Sequence, residues 1–271
     1  MINCKDYVTV KKEELRNKLL DCDYKRRPRL TVIQIGNNPA SNSYIKGKRK
    51  DCEEVGIAFD LVNFPETITH TELCTIVKHL SLLDSVDGLI LQLPVPDHIN
   101  VKEIQELINP AKDVDGFNKY STFDPCTPLG VINYLKHNRY IFEGKNALVI
   151  GRSDIVGKPL ARMLTDLNCT VTLAHSRSKL RDILDYQDII FTCIDKIEYF
   201  DETYFGAHQD IIDIGLGKSE NGKLKGNLSS AAVRRLSRGK CNILISGIGG
   251  VGLLTRLELL NNTFKAYRRK I

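Results

Sequence analysis

Two side chains that could act together on a flat ligand lie four positions apart in the first half of this 271-residue chain. On a helix, Tyr44 and Lys48 would share one face. The ring could stack on the ligand while the amine served as an acid, a base or a cation. A free lysine titrates near ~10.4, so Lys48 would act as a base only if burial or a neighbouring cation lowered its pKa. A solvent-exposed helix face is the competing interpretation.

Two further positions offer polar groups to the same ligand. Gln92 ends a predicted strand, and ligands bind at the carboxyl edge of parallel sheets; an ordinary polar strand end is the alternative. Asp113 and Asp115, in the run KDVDGF at 112–117, would point to one side of an extended backbone. Two acids supply too few oxygen ligands for a cation such as Ca²⁺, and an Asx turn is the alternative. We therefore expect no metal.

The second half carries a pattern typical of anion binding. An apolar run at 147–150 is followed by a glycine-bounded loop and then by apolar positions at helical spacing. Such an arrangement aims a helix N-terminus at an anion. Five residues separate Gly151 from Gly157, which matches neither the three-glycine dinucleotide fingerprint nor the ATPase phosphate loop. The stretch predicts a non-standard dinucleotide loop, with a plain strand-to-helix turn as the alternative.

The residues after the next strand bear on which dinucleotide would bind. His175, Ser176 and Arg177 stand about 20 residues past the glycine loop, where an acid suits a ribose hydroxyl and a base suits a 2′-phosphate. No acid is present, and Arg177 together with Arg152 could hold the extra phosphate. This pattern favours NADP over NAD, unless the run is only a solvated basic turn.

The elements that must carry these residues alternate between strand and helix, so the chain is predicted to be an α/β protein with parallel sheets covered on both faces. A turn-rich stretch at 111–128 marks a domain junction. The predicted strands are 30–35, 57–64, 86–93, 146–150, 169–174, 188–194, 210–214 and 242–246. The predicted helices are 3–20, 41–55, 69–83, 101–108, 129–138, one beginning at Pro159, 179–186, 231–238 and 253–267, with a loose glycine loop at 247–252.

Composition narrows the classes of partner. Thirty-nine basic and 33 acidic residues leave a net charge of +6, which mildly favours phosphates or carboxylates and is too scattered to indicate nucleic acid. The eight cysteines lie too far apart in sequence for a metal knuckle or a redox pair. We see no signal peptide and no apolar run near eighteen residues, so we expect a cytoplasmic protein that does not bind membranes.

Several motifs, taken together and in order, resemble a known family. The chain is similar, from about residue 29 to its end, to the bifunctional methylenetetrahydrofolate dehydrogenase/methenyltetrahydrofolate cyclohydrolases, the FolD family. The runs that carry the resemblance are SNSYIKGK at 41–48, EVGI at 54–57, DGLILQLP at 87–94, KDVDGF at 112–117, PCTP at 125–128 and GRSDIVGKP at 151–159.

The resemblance implies two three-layer α/β domains with a substrate cleft between them. An N-terminal catalytic domain would span 1–124 and be completed by a C-terminal helix at 253–271, and a Rossmann-type NAD(P)-binding domain would span 125–252. Tetrahydrofolate derivatives would be oxidised with NADP and then hydrolysed to the formyl form, as part of the one-carbon metabolism that feeds purine biosynthesis. The resemblance also suggests a homodimer.

The resemblance further implies a role for each site residue. Lys48 would be the general acid/base and polarising cation, and Gln92 would position it. Tyr44 would stack on the aminobenzoyl ring of the folate, and Asp115 would hold its pterin. The cofactor would be lined by Gly151, Arg152, Ser153, Ser176 and Leu216.

Five positions depart from the family pattern. They lie in the cofactor and C-terminal loops, so they are expected to affect the dehydrogenase step more than the cyclohydrolase step. The C-terminal loop is also expected to be looser. Two alternatives therefore stay open: a cyclohydrolase with weak or lost dehydrogenase activity, and a non-catalytic dinucleotide or folate binder. The departures are Asp195, where the resemblance implies glycine, Asn227, where it implies aspartate, and Ser246, Ile248 and Leu253, where it implies prolines.

Overall fold

The computed structural model describes residues 3–21, 26–206, 208–238 and 244–270, with the backbone alone at residues 40, 247 and 248. The chain divides into two compact units. The three-stranded unit contains residues 8–126 and 256–271, and the five-stranded unit contains residues 1–7 and 127–255.

The first seven residues belong to the five-stranded unit, although the sequence prediction assigned them to the N-terminal domain. The reason is aromatic packing. Tyr7 is buried, and its ring centroid lies 5.3 Å from that of Tyr134 in an edge-on arrangement and 4.8 Å from that of His137. These contacts attach the start of the first helix to the helix that carries Tyr134 and His137.

The three-stranded unit is a parallel sheet in the order β2-β1-β3. Leu30 of the central strand pairs with Gly88, and Ile33 pairs with Leu91. The predicted elements are present with shifts of a few residues at their ends. They are α1 (Cys4–Leu20), β1 (Arg29–Ile35), α2 (Pro39–Val55), β2 (Ala58–Phe64), α3 (His70–Leu82), β3 (Gly88–Leu91) and α4 (Val101–Leu107).

Alternation along β1 sends side chains into two separate hydrophobic clusters. Leu30 and Val32 pack in a cluster with residues of α1, α2 and the C-terminal helix. Ile33 and Ile35 pack in a second cluster with residues of α3 and α4. Both faces of the sheet are therefore covered by helices, which confirms the predicted three-layer arrangement for this unit.

The five-stranded unit is a parallel sheet in the order β10-β7-β6-β4-β5, with β4 beside both β5 and β6. Helix α6 buries Leu160, Met163 and Leu164, as its spacing predicted. The elements are α5 (Cys126–His137), β4 (Asn146–Ile150), α6 (Gly157–Asp166), β5 (Thr170–Ala174), β6 (Ile189–Thr192), β7 (Asp210–Asp213), β8 (Leu216–Lys218), β9 (Leu224–Gly226), α7 (Ser230–Arg238) and β10 (Leu244–Ile245). The last helix, α8 (Gly252–Arg268), begins in this unit and belongs from residue 256 onward to the three-stranded unit.

Two local predictions for this unit were wrong, and one hairpin was missed. The segment 179–186 forms two short 3₁₀ turns, because the amides of Ile183 and Gln187 bond three residues back. An unpredicted hairpin pairs β8 with β9. The expected loose loop at 247–252 is a π-helical turn over Gly247–Val251, in which the Val251 amide donates to the Ser246 carbonyl.

The last predicted strand, 242–246, lies partly outside the described residues, which include only Leu244 and Ile245 of it as β10. Among the described helices, none combines the length and the apolarity needed to cross a bilayer.

Candidate active site and dinucleotide site

Lys48 and Gln92 are brought into direct contact within the three-stranded unit. Lys48 lies on α2, and its Nζ donates to Oε1 of Gln92 over 3.1 Å. The amide nitrogen of Gln92 donates to the Leu93 carbonyl over 2.7 Å. Because this second bond fixes which end of the amide faces the lysine, Gln92 presents an acceptor to the ammonium.

The start of α2 is attached to the sheet by polar side chains. Ser41 donates through Oγ to the Leu93 carbonyl over 3.3 Å, and Gln34 donates through Nε2 to Oδ1 of Asn42 over 2.7 Å. The first turn of the helix therefore sits at the carboxyl ends of β1 and β3, the edge where ligands bind in such sheets. Tyr44 is 40% exposed one turn before Lys48, on the same side of the helix.

A second cation lies against the helix that carries Lys48. A Cβ at Gly47 would lie 2.1 Å from Nη1 of Arg256, so glycine lets the guanidinium approach the α2 backbone. Asp51 holds this cation with Arg256 Nε 2.8 Å from its Oδ2, and Lys12 lies 2.6 Å from Oδ1. Sequence reasoning missed this arrangement, because Arg256 comes from the far end of the chain.

Asp115 lies within electrostatic reach of Lys48. Burial raises the pKa of Asp115, and the Lys48 charge opposes that rise. The loop before it is held at the Val114 carbonyl, which accepts from Cys126 Sγ over 3.1 Å and from Asn262 Nδ2 over 3.0 Å. The structure thus brings Lys48, Gln92 and Asp115 together, with Tyr44 nearby on the helix.

Asp113, the other acid of the loop, has a structural role. It is buried, and its Oδ2 accepts from the Asn118 amide over 2.8 Å. Burial raises its pKa to about 6. Asp113 therefore holds the loop through a bond that spans five residues, which is longer than the Asx turn considered from the sequence.

In the five-stranded unit, the loop between β4 and α6 depends on its two glycines. Gly151 has φ 122°, a region that favours glycine. A Cβ at Gly157 would lie 2.0 Å from the Gly151 carbonyl oxygen. The Ser153 hydroxyl accepts from the amides of Val156 and Gly157, each over 3.3 Å. Ser153 therefore caps the helix from inside the loop.

A cavity of about 570 Å³ opens above this loop, and Arg177 lies outside its lining. Arg177 is exposed, and its backbone amide donates to Nδ1 of His175 over 3.2 Å. The predicted cofactor residues that line the cavity are Gly151, Arg152, Ser153, Ser176 and Leu216. Residues that sequence reasoning did not assign to the site also line it, among them Thr127, Ile155, His175, Cys193 and Gly215.

Comparison with family models decides the affiliation. Residues 2–115 match the tetrahydrofolate dehydrogenase/cyclohydrolase catalytic domain, and residues 125–271 match the NAD(P)-binding domain of the same family. The chain belongs to the tetrahydrofolate dehydrogenase/cyclohydrolase family. The resemblance seen in the sequence motifs is thereby confirmed, as is the two-domain α/β class.

Curated relatives and solved structures agree with this affiliation. The bifunctional protein FolD of Oceanobacillus iheyensis is 38% identical over 97% of this chain and 92% of its own length. That of Staphylococcus aureus is 40% identical over 90% and 87%. The FolD structure from Campylobacter jejuni superposes with a TM-score of 0.93 at 35% identity, covering 99% and 98%. The Trypanosoma brucei enzyme, solved with NADP and an inhibitor, gives 0.90 at 27% identity, covering 100% and 97%.

Two of the residues that depart from the family pattern, Asp195 and Asn227, lie in the five-stranded unit. Asp195 lines the cavity. Its φ angle is not positive, unlike those of Arg139, Asn168 and Glu198. Its backbone therefore does not require the glycine that the family prefers there. Asn227 is fully buried; its Nδ2 donates to the carbonyls of Ile194 and Lys196, and its Oδ1 accepts from the Ile194 amide.

Proposed function

We propose that this member of the family catalyses two consecutive steps on tetrahydrofolate derivatives. The first is NADP-dependent oxidation of 5,10-methylenetetrahydrofolate to the 5,10-methenyl form, and the second is hydrolysis of that product to 10-formyltetrahydrofolate. Both family models match the chain, which supports the pairing of the two steps. The observation that carries the proposal is the contact of Lys48 Nζ with the Gln92 amide beside Asp115.

The residues of the three-stranded unit would handle protons and orientation. In the second step, water adds to the methenyl carbon and loses a proton, and the ring nitrogen takes up a proton as its bond to that carbon breaks. Lys48 is proposed to carry these protons and to polarise the reacting carbon. Gln92 would keep the amine directed, Tyr44 would stack on the aminobenzoyl ring, and Asp115 would hold the pterin.

The five-stranded unit has features that suit NADP. The close approach of Gly157 to Gly151 lets the loop between β4 and α6 turn tightly at the start of the helix, where the helix dipole favours a phosphate, and Arg152 lines the same cavity. When bound, NADP supplies the hydride acceptor. Ser153 and Ser176 would orient it by hydrogen bonds, and Arg152 would favour the 2′-phosphate.

A two-step assay tests the proposal. Purified protein with 5,10-methylenetetrahydrofolate and NADP should produce NADPH absorbance, and 10-formyltetrahydrofolate should accumulate at the same yield. Hydrolysis of supplied methenyltetrahydrofolate without NADPH formation from the methylene form would instead identify a cyclohydrolase that has lost the dehydrogenase. Binding of ligands with turnover in neither assay would refute both activities.

The role of Lys48 is tested by the Lys48→Gln variant. We expect hydrolysis of methenyltetrahydrofolate to fall by about 10²–10⁴-fold, the usual contribution of a positioned acid–base group. Circular dichroism should report an unchanged fold. Lys46→Gln, on the same helix and exposed, is the matched control and should retain activity. Normal hydrolysis by Lys48→Gln would remove Lys48 from the proposed role.

We also propose, first, that the protein is a homodimer and, second, that it is cytoplasmic. The family resemblance supports the homodimer, and light scattering on the purified chain tests it. A mass of about twice 30.6 kDa is expected; a monomeric mass would contradict it. Fractionation of cells producing the protein would test the second.

A further inference from the structure

Three potential metal ligands converge on one point of the three-stranded unit, on helices that the proposed chemistry does not use. His70 and Cys74 lie four positions apart on α3, and Glu103 lies on α4. His70 Nε2 is 3.0 Å from a carboxylate oxygen of Glu103 and 3.4 Å from Cys74 Sγ. The three ligand atoms lie within 4.8 Å of one another.

A neutral His70 ring satisfies this cluster poorly. All polar contacts of His70 are made at Nε2, because Nδ1 is buried without a hydrogen-bond partner among the described residues. A proton on Nε2 would serve the Glu103 carboxylate and would leave Cys74 Sγ with only a share of that proton, to which sulfur is a weak acceptor. A cation at the centre would serve all three.

The spacing of the ligand atoms suits a small tetrahedral cation. Zinc binds imidazole nitrogen at about 2.0–2.1 Å and thiolate sulfur at about 2.3 Å, so the two atoms should lie about 3.5 Å apart in a tetrahedron. The observed 3.4 Å between Cys74 Sγ and His70 Nε2 is close to that value. Thiolate, imidazole and carboxylate are also the donor types that zinc accepts.

The ligands are carried by helix starts whose geometry is fixed. Thr69 and Glu72 form a capping box at the start of α3, one residue before His70. Asn100 caps α4 by accepting from the Glu103 amide over 3.3 Å. Residues on capped helices hold their positions better than residues on loops. The Glu103 side chain is 54% exposed, which leaves a path for an ion to enter.

We propose that His70, Cys74 and Glu103 bind a divalent transition metal of the zinc class, with water as a fourth ligand. One thiolate and one carboxylate would neutralise the charge of the ion. The bound metal would join α3 to α4 and stabilise the three-stranded unit. From the sequence we expected no metal, because the cysteines are widely spaced and because the acids at 113 and 115 supply too few ligands. Neither argument concerns this cluster.

Zinc binding to the full-length protein tests the proposal. After treatment with a chelator, equilibrium dialysis against Zn²⁺ should give one zinc per chain. Loss of a residue that only hydrogen-bonds to a metal ligand costs about 10–100-fold in metal affinity. Cys74→Ser and Glu103→Gln each remove a ligand itself, so each should weaken zinc binding by more than about 100-fold. His79→Asn on α3 and Glu106→Gln on α4 are the matched controls, and both should bind zinc normally.

Two further measurements separate this site from incidental binding. Co²⁺ should produce a thiolate charge-transfer band and the visible bands of a tetrahedral site, and Cys74→Ser should lose the charge-transfer band. Zn²⁺ should raise the melting temperature of the parent chain by mass action and leave that of Glu103→Gln unchanged. Because Glu103 is exposed, that variant decides the matter if Cys74→Ser fails to fold. Absence of binding, or equal binding by the variants, would overturn the proposal.

Discussion

The contact between Lys48 and Gln92 shows how one amide can direct a flexible amine. The lysine stem has many rotamers, and the hydrogen bond of 3.1 Å to Gln92 Oε1 selects among them. The Leu93 carbonyl fixes the Gln92 amide in turn. A chain of two hydrogen bonds therefore connects the end of β3 to the atom that is proposed to carry protons.

The cofactor site separates two arginines that the sequence grouped together. Arg152 lines the cavity, whereas Arg177 is exposed and outside the lining. A hydrogen bond to a charged group contributes about 1.5–3 kcal/mol, so Arg152→Ala should weaken NADP binding by about 10- to 100-fold and leave NAD binding nearly unchanged. Calorimetric titration of both dinucleotides measures this.

Arg177→Ala is the comparison for that prediction. We expect it to change the dissociation constant for NADP much less than Arg152→Ala does, because its side chain is exposed outside the lining. A larger loss in Arg177→Ala would assign phosphate recognition to the turn at 175–178.

The amide of Asn227 satisfies groups that an aspartate could not. Its Nδ2 donates to two carbonyls, over 2.8 Å to Ile194 and 2.7 Å to Lys196. Asn227→Asp would restore the residue common in the family and would leave both carbonyls facing a buried charge. Each unsatisfied buried group costs about 1–3 kcal/mol, so we expect about 3 kcal/mol or more off the free energy of unfolding.

Urea denaturation near pH 7 measures the effect of Asn227→Asp. Asn221→Asp, an exposed change in the neighbouring hairpin, is the control. The deficit of the Asn227 variant should shrink at low pH, because a protonated carboxyl regains one donor. Equal stability of the two variants at pH 7 would show that the network does not depend on the amide.

In the five-stranded unit, the loop between β4 and α6 depends on the close approach of the Gly157 and Gly151 backbones. Gly157→Ala would add a Cβ that lies 2.0 Å from the Gly151 carbonyl oxygen, so the loop must move. Overpacking of this kind costs about 1–3 kcal/mol, and the loop that borders the cavity would shift away from the bound phosphate. We expect NADP affinity to fall at least about tenfold, the effect of losing about 1.4 kcal/mol.

Fluorescence titration with NADP, together with urea denaturation, measures the effect of Gly157→Ala. Arg162→Ala, which changes the exposed face of the same helix, serves as the control and should bind NADP normally. Unaltered NADP affinity in Gly157→Ala would mean that the loop does not form the phosphate site.

The loop at 112–117 makes stability depend on pH through Asp113. Its folded pKa of about 6 lies above the value of about 3.9 expected when unfolded. The folded state therefore binds the proton more tightly. The stabilisation is complete below pH ~4 and is lost as the pH rises through about 6, by up to about 3 kcal/mol.

Urea denaturation between pH 4 and 7 measures this dependence. The parent chain should lose stability relative to Asp113→Asn over that range, because the variant has no proton to release. Asp97→Asn at an exposed position should follow the parent chain. Parallel profiles for the parent and Asp113→Asn would contradict the assignment.

The molecule as a whole uses its chain ends to complete both units. Residues 1–7 belong to the five-stranded unit, and residues 256–271 belong to the three-stranded unit. Helices α1 and α8 therefore each begin in one unit and end in the other. The net charge of +6 fits a protein whose two ligands, a dinucleotide and a folate, are both anionic, because a positive field favours their encounter.

Local patterns in the sequence were sufficient to predict most strands and helices, the α/β class and the family, because periodicity and glycine spacing act over a few residues. They also pointed to Lys48, Gln92 and Asp115. They did not reveal the support of Val114 by Asn262, the approach of Arg256 to Gly47, or the meeting of His70 and Cys74 with Glu103. Those contacts join residues far apart in the chain, so they exist only after the sheets and helices have packed.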